Sequence, residues 1–117
     1  MRPESGDVAY LWDMRDAAQT LQGFVAGVDE REYAASRLLQ AGVERQIEII
    51  GEAARRVSET FRTAHPEIPW RGIIAQRNVV THDYGEVLAE RIWNVAKERI
   101  PELIVALNAV MPPIEEG

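Results

Sequence analysis

The chain has 117 residues, with 13 Lys and Arg against 19 Asp and Glu, two His and no Cys. That length fits one small domain, and the absence of cysteine excludes disulfides, thiolate metal sites and a cysteine nucleophile. The net charge of −6 opposes generic binding to a phosphate backbone, which needs a basic surface, so any contact with nucleic acid is expected at a local site. The longest uncharged stretches, such as Leu103–Ile114, have 12 residues, short of the about 20 that a bilayer-spanning helix needs. The N-terminal MRPESGDVAY is acidic where a leader peptide is basic and then apolar. The expected location is the cytoplasm, away from membranes.

The apolar pattern is helical throughout, and turn signals between alternating runs are missing. A first helix is predicted after Asp7, which has the chemistry of an N-cap. Leu11, Met14, Ala18, Leu21 and Val25 form its apolar face, and Gly23 and Gly27 mark its end. A second, longest helix begins between Asp29 and Ser36. Leu39, Val43, Ile47, Ile50, Ala54, Val57 and Phe61 run along it with a helical period. Gly51 in its middle costs about 1 kcal/mol relative to Ala, which points to close approach of another helix. Next comes the connector His65-Pro66-Glu67-Ile68-Pro69-Trp70, where two prolines stop helix propagation.

Pro69 suits the first turn of a third helix running from Trp70 to Asp83, with Gly85 as its C-cap. A fourth starts near Glu86 with Leu88, Ile92 and Val95 inward. Pro101 either kinks it or opens a fifth, on which Leu103, Leu107 and Val110 continue the stripe. The expected fold is all-α, an up-and-down bundle of four to five helices. All 117 residues read as a single domain, with 111–117 a loose tail.

Polar residues break the pattern on the third helix. Its stripe of Trp70, Ile73 and Ile74 continues to position 77, which is Arg77, and on to Tyr84. A buried arginine needs a partner. Asn78 and His82, four apart, share a neighbouring face. On the second helix Glu44, Glu48 and Glu52 form a like-charged row. Arg56 is placed to relieve Glu52, the member expected to make a real contact, whereas Glu44 and Glu48 read as a solvated face. His65 is assigned no role.

The string Arg77-Asn78-Val79-Val80-Thr81-His82-Asp83-Tyr84 has the form R-x4-H-x-Y. It resembles the signature of the HepT toxins of the HEPN superfamily. The stretches Ile49–Ala53, His65–Trp70 and Trp93–Leu103 resemble the same family in the same order. The resemblance implies a HEPN-like helical domain that forms a homodimer. It implies a metal-independent endoribonuclease, the toxin of a toxin–antitoxin pair. Arg77 and His82 are then catalytic, with Asn78 supporting and Tyr84 adenylylated by a nucleotidyltransferase antitoxin of the MNT type. ATP and Mg²⁺ belong to that partner, since nothing in this chain resembles a nucleotide-binding loop; the chain itself is expected to need no cofactor and no metal. Glu52 is the further candidate for a supporting role. Two readings from other classes stand beside this one: a non-catalytic helical partner of a nucleotidyltransferase, and a structural bundle whose polar stripe is an interface network.

Overall fold

A computed structural model describes residues 2–4, 6–82 and 85–111, with 77–82 and 85–87 described as helical backbone. The last of the expected tail, 112–117, lies outside the described residues. Among the described residues seven α-helices follow one another: α1 (Gly6–Val25), α2 (Glu30–Ala35), α3 (Arg37–Arg56), α4 (Glu59–Ala64), α5 (Trp70–His82), α6 (Gly85–Asn94) and α7 (Ile100–Val110). A π-helical turn, Val95–Arg99, joins the last two. Among the described residues there is no strand, and no helix is long and apolar enough to cross a membrane. The all-α bundle read from the sequence is the architecture observed.

The core forms where the apolar stripes meet. Helix α3 packs against α1 on one side and α5 on the other, while α7 closes over α1. Met14, Ala18, Leu21, Val43, Ala54, Ile92 and Leu107 are completely buried at these seams. Met111, just past α7, is buried with them. Arg15 is the one buried charge among the described residues, and its guanidinium donates to Asn108 Oδ1 at 3.2 Å across the α1–α7 seam. Gly27 ends α1 with a φ of +73°, the left-handed conformation that glycine adopts without steric penalty.

The second predicted helix is in fact three. Asp29 opens α2 with a capping box: its carboxylate accepts from the Glu32 N–H at 2.8 Å, and Glu32 accepts from the Asp29 N–H at 3.1 Å. Ser36 caps α3 through Leu39. At Val57 the chain turns extended, and Ser58 caps α4 by accepting from the Phe61 N–H at 3.1 Å. The apolar stripe continues across this break, so periodicity does not reveal it.

The break has a long-range cause, which also corrects the role expected of Asp7. That residue lies inside the first turn of α1 rather than at its cap. Its two carboxylate oxygens accept from the Ser58 backbone N–H and hydroxyl, both at 2.7 Å. Asp7 thus holds the start of α4 against α1.

Of the two expectations for Pro101, the second holds: a new helix, α7, begins there, joined to α6 through the π turn rather than by a loop. The chain stays helical through it because the π turn widens the backbone just before. The Ile100 N–H reaches back five residues to the Val95 carbonyl, and Pro101 falls in the first turn of α7, where its missing N–H is least costly. The extra residue shifts the buried row to Ala96, Ile100, Leu103 and Leu107, leaving Val95 partly buried.

Candidate active site

Helix α5 carries the sequence signature, and the residues before it fix where it starts. Ile68 is 1% exposed and Trp70 8%. The Trp70 indole N–H donates to the His65 carbonyl at 2.9 Å, and the Ile68 N–H to the same oxygen at 3.3 Å. Phe61 of α4 meets the Trp70 ring edge to face at 6.2 Å and the His65 ring at 4.4 Å. His65 Nδ1 lies 3.1 Å from a Glu67 oxygen. The Ile73 N–H then bonds the Pro69 carbonyl at 3.0 Å, closing the first turn of α5. His65, given no role from the sequence, is a structural element of this anchor. The connector is a clamp on the N-terminal end of α5, and its Pro-x-x-Pro-Trp spacing is the signal that marks it.

Arg77, Asn78 and His82 all fall within the helical backbone of α5. Arg77 and His82 are five positions apart, about 7.5 Å along the helix axis. Tyr84 lies outside the described residues, as does Asp83, the expected last residue of this helix; Gly85, expected as its C-cap, instead begins α6. Exposed Arg71 stands in the first turn of α5.

Helix α3 provides the wall beside α5. Gly51, the position suspected of close helix approach, is buried. Ile47 and Ile50 of α3 line a cavity of about 530 Å³ together with Ile73 and Gln76 of α5 and Val95 and Leu103 beyond. Among the described residues its lining is largely apolar.

The row of glutamates on α3 is electrically uneven. Glu52 accepts from Arg55 at 2.8 Å and from Arg56 at 3.0 Å. These two guanidinium groups pull its carboxyl from 4.5 down to about 2. It lines a second cavity, of about 330 Å³, with Arg45 and Arg56 of α3 and with Tyr10 and Asp13 of α1. Arg45 reaches Glu48 at 3.5 Å. Glu44 differs from the solvated residue expected. It is half-buried, and burial, with help from the Glu48 charge, pushes its carboxyl up.

Helix α5 thus carries R-x4-H, clamped at its start and packed beside α3. A family model described as ribonuclease HepT-like matches residues 14–110, the stretch from α1 through α7. The chain belongs to the HepT-like ribonuclease family. A relative from Methanocaldococcus jannaschii, named as an RNase, is 30% identical over 95 residues, covering 81% of this chain and 87% of its own. One from Thermococcus cleftensis, whose name refers to ribonuclease HepT, is 34% identical over 94 residues, 80% of this chain and 86% of its own. A third, from Caldanaerobacter subterraneus subsp. tengcongensis and again named as an RNase, is 31% identical over 94 residues, with 80% and 84% covered. No solved structure matches the chain.

Proposed function

We propose that this chain is a metal-independent endoribonuclease and the toxin of a toxin–antitoxin pair. Arg77 and His82 are its catalytic residues, with Asn78 and Glu52 supporting. The observation that carries this reading is the family match over residues 14–110, which encloses the complete R-x4-H-x-Y string at 77–84.

The chemistry asks for little beyond these residue types. The 2′-OH of one nucleotide attacks the adjacent phosphorus, so the O2′–P bond forms as the P–O5′ bond breaks. A base takes the 2′-OH proton and an acid returns one to the departing 5′-oxygen. Histidine suits both transfers because its ordinary pKa lies near neutrality. Arginine stays protonated and grips two phosphate oxygens in a fork as charge builds on them. One imidazole cannot be base and acid within a single step. Two copies of His82 in a homodimer divide the roles, a chemical reason for pairing.

Control is proposed to fall on Tyr84. An MNT-type nucleotidyltransferase, using its own ATP and Mg²⁺, transfers AMP to the tyrosine hydroxyl and releases pyrophosphate. The new phosphodiester adds negative charge and bulk two residues from His82, where it competes with substrate for Arg77. Such a pair operates in the cytoplasm, where RNA is the substrate.

The test is cleavage of RNA by the purified protein in EDTA. Arg77→Ala and His82→Ala are expected to abolish cleavage while circular dichroism stays helical. Cleavage that persists in both variants removes the site; cleavage that chelation stops removes the metal-free mechanism. Mass spectrometry after incubation with the partner, ATP and Mg²⁺ is expected to place one added nucleotide on Tyr84, and a modification on Tyr10 or Tyr33 instead overturns the control step. Absence of cleavage together with tight binding to the nucleotidyltransferase supports a binding module in place of an enzyme.

A further inference from the structure

Helix α5 is unbroken from Trp70 to His82, so its backbone fixes which positions share a side. At about 100° per residue, Ala75, Asn78 and His82 all fall within about 40° of Arg71 around the axis. They form one row, with Arg71 and His82 at its ends about 16.5 Å apart. Arg77 is about 120° round from Arg71 and belongs to a different side. Ile73 and Gln76, which line the cavity against α3, are about 140° to 160° away. The row therefore turns its back on α3.

The start of the row is open and charged. Arg71 and Ala75 are exposed, and a side chain at Gly72 would meet no atom within 4 Å. Arg71 has no hydrogen-bond or ion-pair partner among the described residues. That separates it from Arg2, Arg45, Arg55, Arg56 and Arg99, each of which meets a carboxylate. Glu67, four residues before it, bonds His65 instead, at 3.1 Å. The backbone beneath Arg71 is nonetheless held. Trp70 donates through its N–H to the Ile68 carbonyl and through its indole to the His65 carbonyl, both at 2.9 Å. The clamp thus sets an unneutralised cation at a fixed height on the helix that carries His82.

We propose that Arg71 grips a backbone phosphate of the RNA substrate, a few nucleotides from the bond broken at His82, so that the strand runs along this row of α5. A guanidinium stays charged and forks two phosphate oxygens. Such a contact reads no base, but it sets the register of the strand. Ala75, between the two ends, adds little bulk between strand and helix. The net charge of −6 repels RNA at a distance, so affinity has to come from local cations that no carboxylate neutralises. This inference rests on the ribonuclease reading and adds the path of the substrate to it.

The test is how cleavage depends on substrate length. Oligonucleotides from a dinucleotide to a hexanucleotide, 2′-O-methylated at every ribose but one so that a single bond can break, are extended on the 5′ or the 3′ side. For the parent protein KM is expected to fall about tenfold across the series with kcat unchanged, as one charge-assisted contact made equally before and at the transition state would give. Arg71→Ala is expected to lose that gain and Arg71→Lys to keep part of it. In Arg71→Ala the salt dependence of binding should also fall by about one phosphate contact. Circular dichroism and Tm should match the parent, because Arg71 has no partner in the fold to lose. A length gain that survives Arg71→Ala, or no length gain in the parent, overturns the strand path and leaves the ribonuclease reading standing. A variant that loses as much on the dinucleotide as on the hexanucleotide, or that changes the oligomeric state in sedimentation, also overturns it, since Arg71 then acts through the fold or an interface. If the parent cleaves no RNA of any length, the ribonuclease reading fails and the inference falls with it.

Discussion

Glu44 and Glu52 stand two turns apart on α3, and their surroundings have pushed them in opposite directions. Around Glu52 every group named above has a partner. Arg55 and Arg56 hold the carboxylate, Asp7 holds Ser58 just beyond, and the His65–Trp70 clamp fixes the start of α5. Around Glu44 the polar groups face a cavity of about 760 Å³ bordered by α2, α3 and α6, and the hydroxyl of Tyr33, one of its lining residues, is buried with no hydrogen-bond partner among the described residues. One end of the helix is finished as structure and the other is left open at a cost in stability.

Breaking the closed end is expected to produce the largest effects. Trp70→Ala removes a buried ring and the bond to the His65 carbonyl, and should lower stability by about 3–5 kcal/mol in urea titrations. Asp7→Ala removes two bonds to Ser58 at the surface and should cost about 1–2 kcal/mol. A double-mutant cycle with Ser58→Ala is expected to show strong coupling between the two. At the open end the sign reverses. Because burial raises the Glu44 carboxyl in the folded state, its charged form is the destabilised one. Glu44→Gln should stabilise the fold at pH 7 by about 0.5 kcal/mol or less, given solvent screening. That gain should vanish in thermal melts as the pH falls through the carboxylate range. The smallest effect is at Glu52, whose partners are mostly in solvent. Its folded pKa is lowered from 4.5 to about 2, so its contribution is present above pH 4.5 and is lost as the pH falls toward 2. Glu52→Gln should melt slightly earlier than the parent at pH 7, with the difference closing across that window.

The same contrast explains what the sequence reveals. The faces of α1 and α3 and the start of α5 are legible because a 3.6-residue period and the Pro-x-x-Pro-Trp connector act locally. The break at Val57 is hidden, since Val57 and Phe61 carry the stripe straight across it. Only Ser58, a good cap followed by Glu59, hints at a new helix, and its partner Asp7 lies 51 residues away. At the candidate site, Arg77 and His82 stand out through the family string more than through helical spacing, which leaves them about 140° apart around the axis. Tyr33 gives no signal at all. On a six-residue helix one tyrosine defines no periodicity, and its burial against Trp93 of α6 is a contact 60 residues away in sequence.

The wide turn at Val95–Arg99 makes α6 and α7 separately adjustable. In an uninterrupted α-helix, the side of α6 that borders the Tyr33 cavity would dictate which residues of α7 meet α1. One additional residue in the turn offsets the two halves by about 100°, like a coupling between two shafts set at different angles. Evolution can then retune the face beside the cavity, where Ala89 and Glu90 sit, without rotating Leu103 and Leu107 out of the core. Removing a single residue, such as Lys97, would lock the shafts together and force one of the two faces to give up its place.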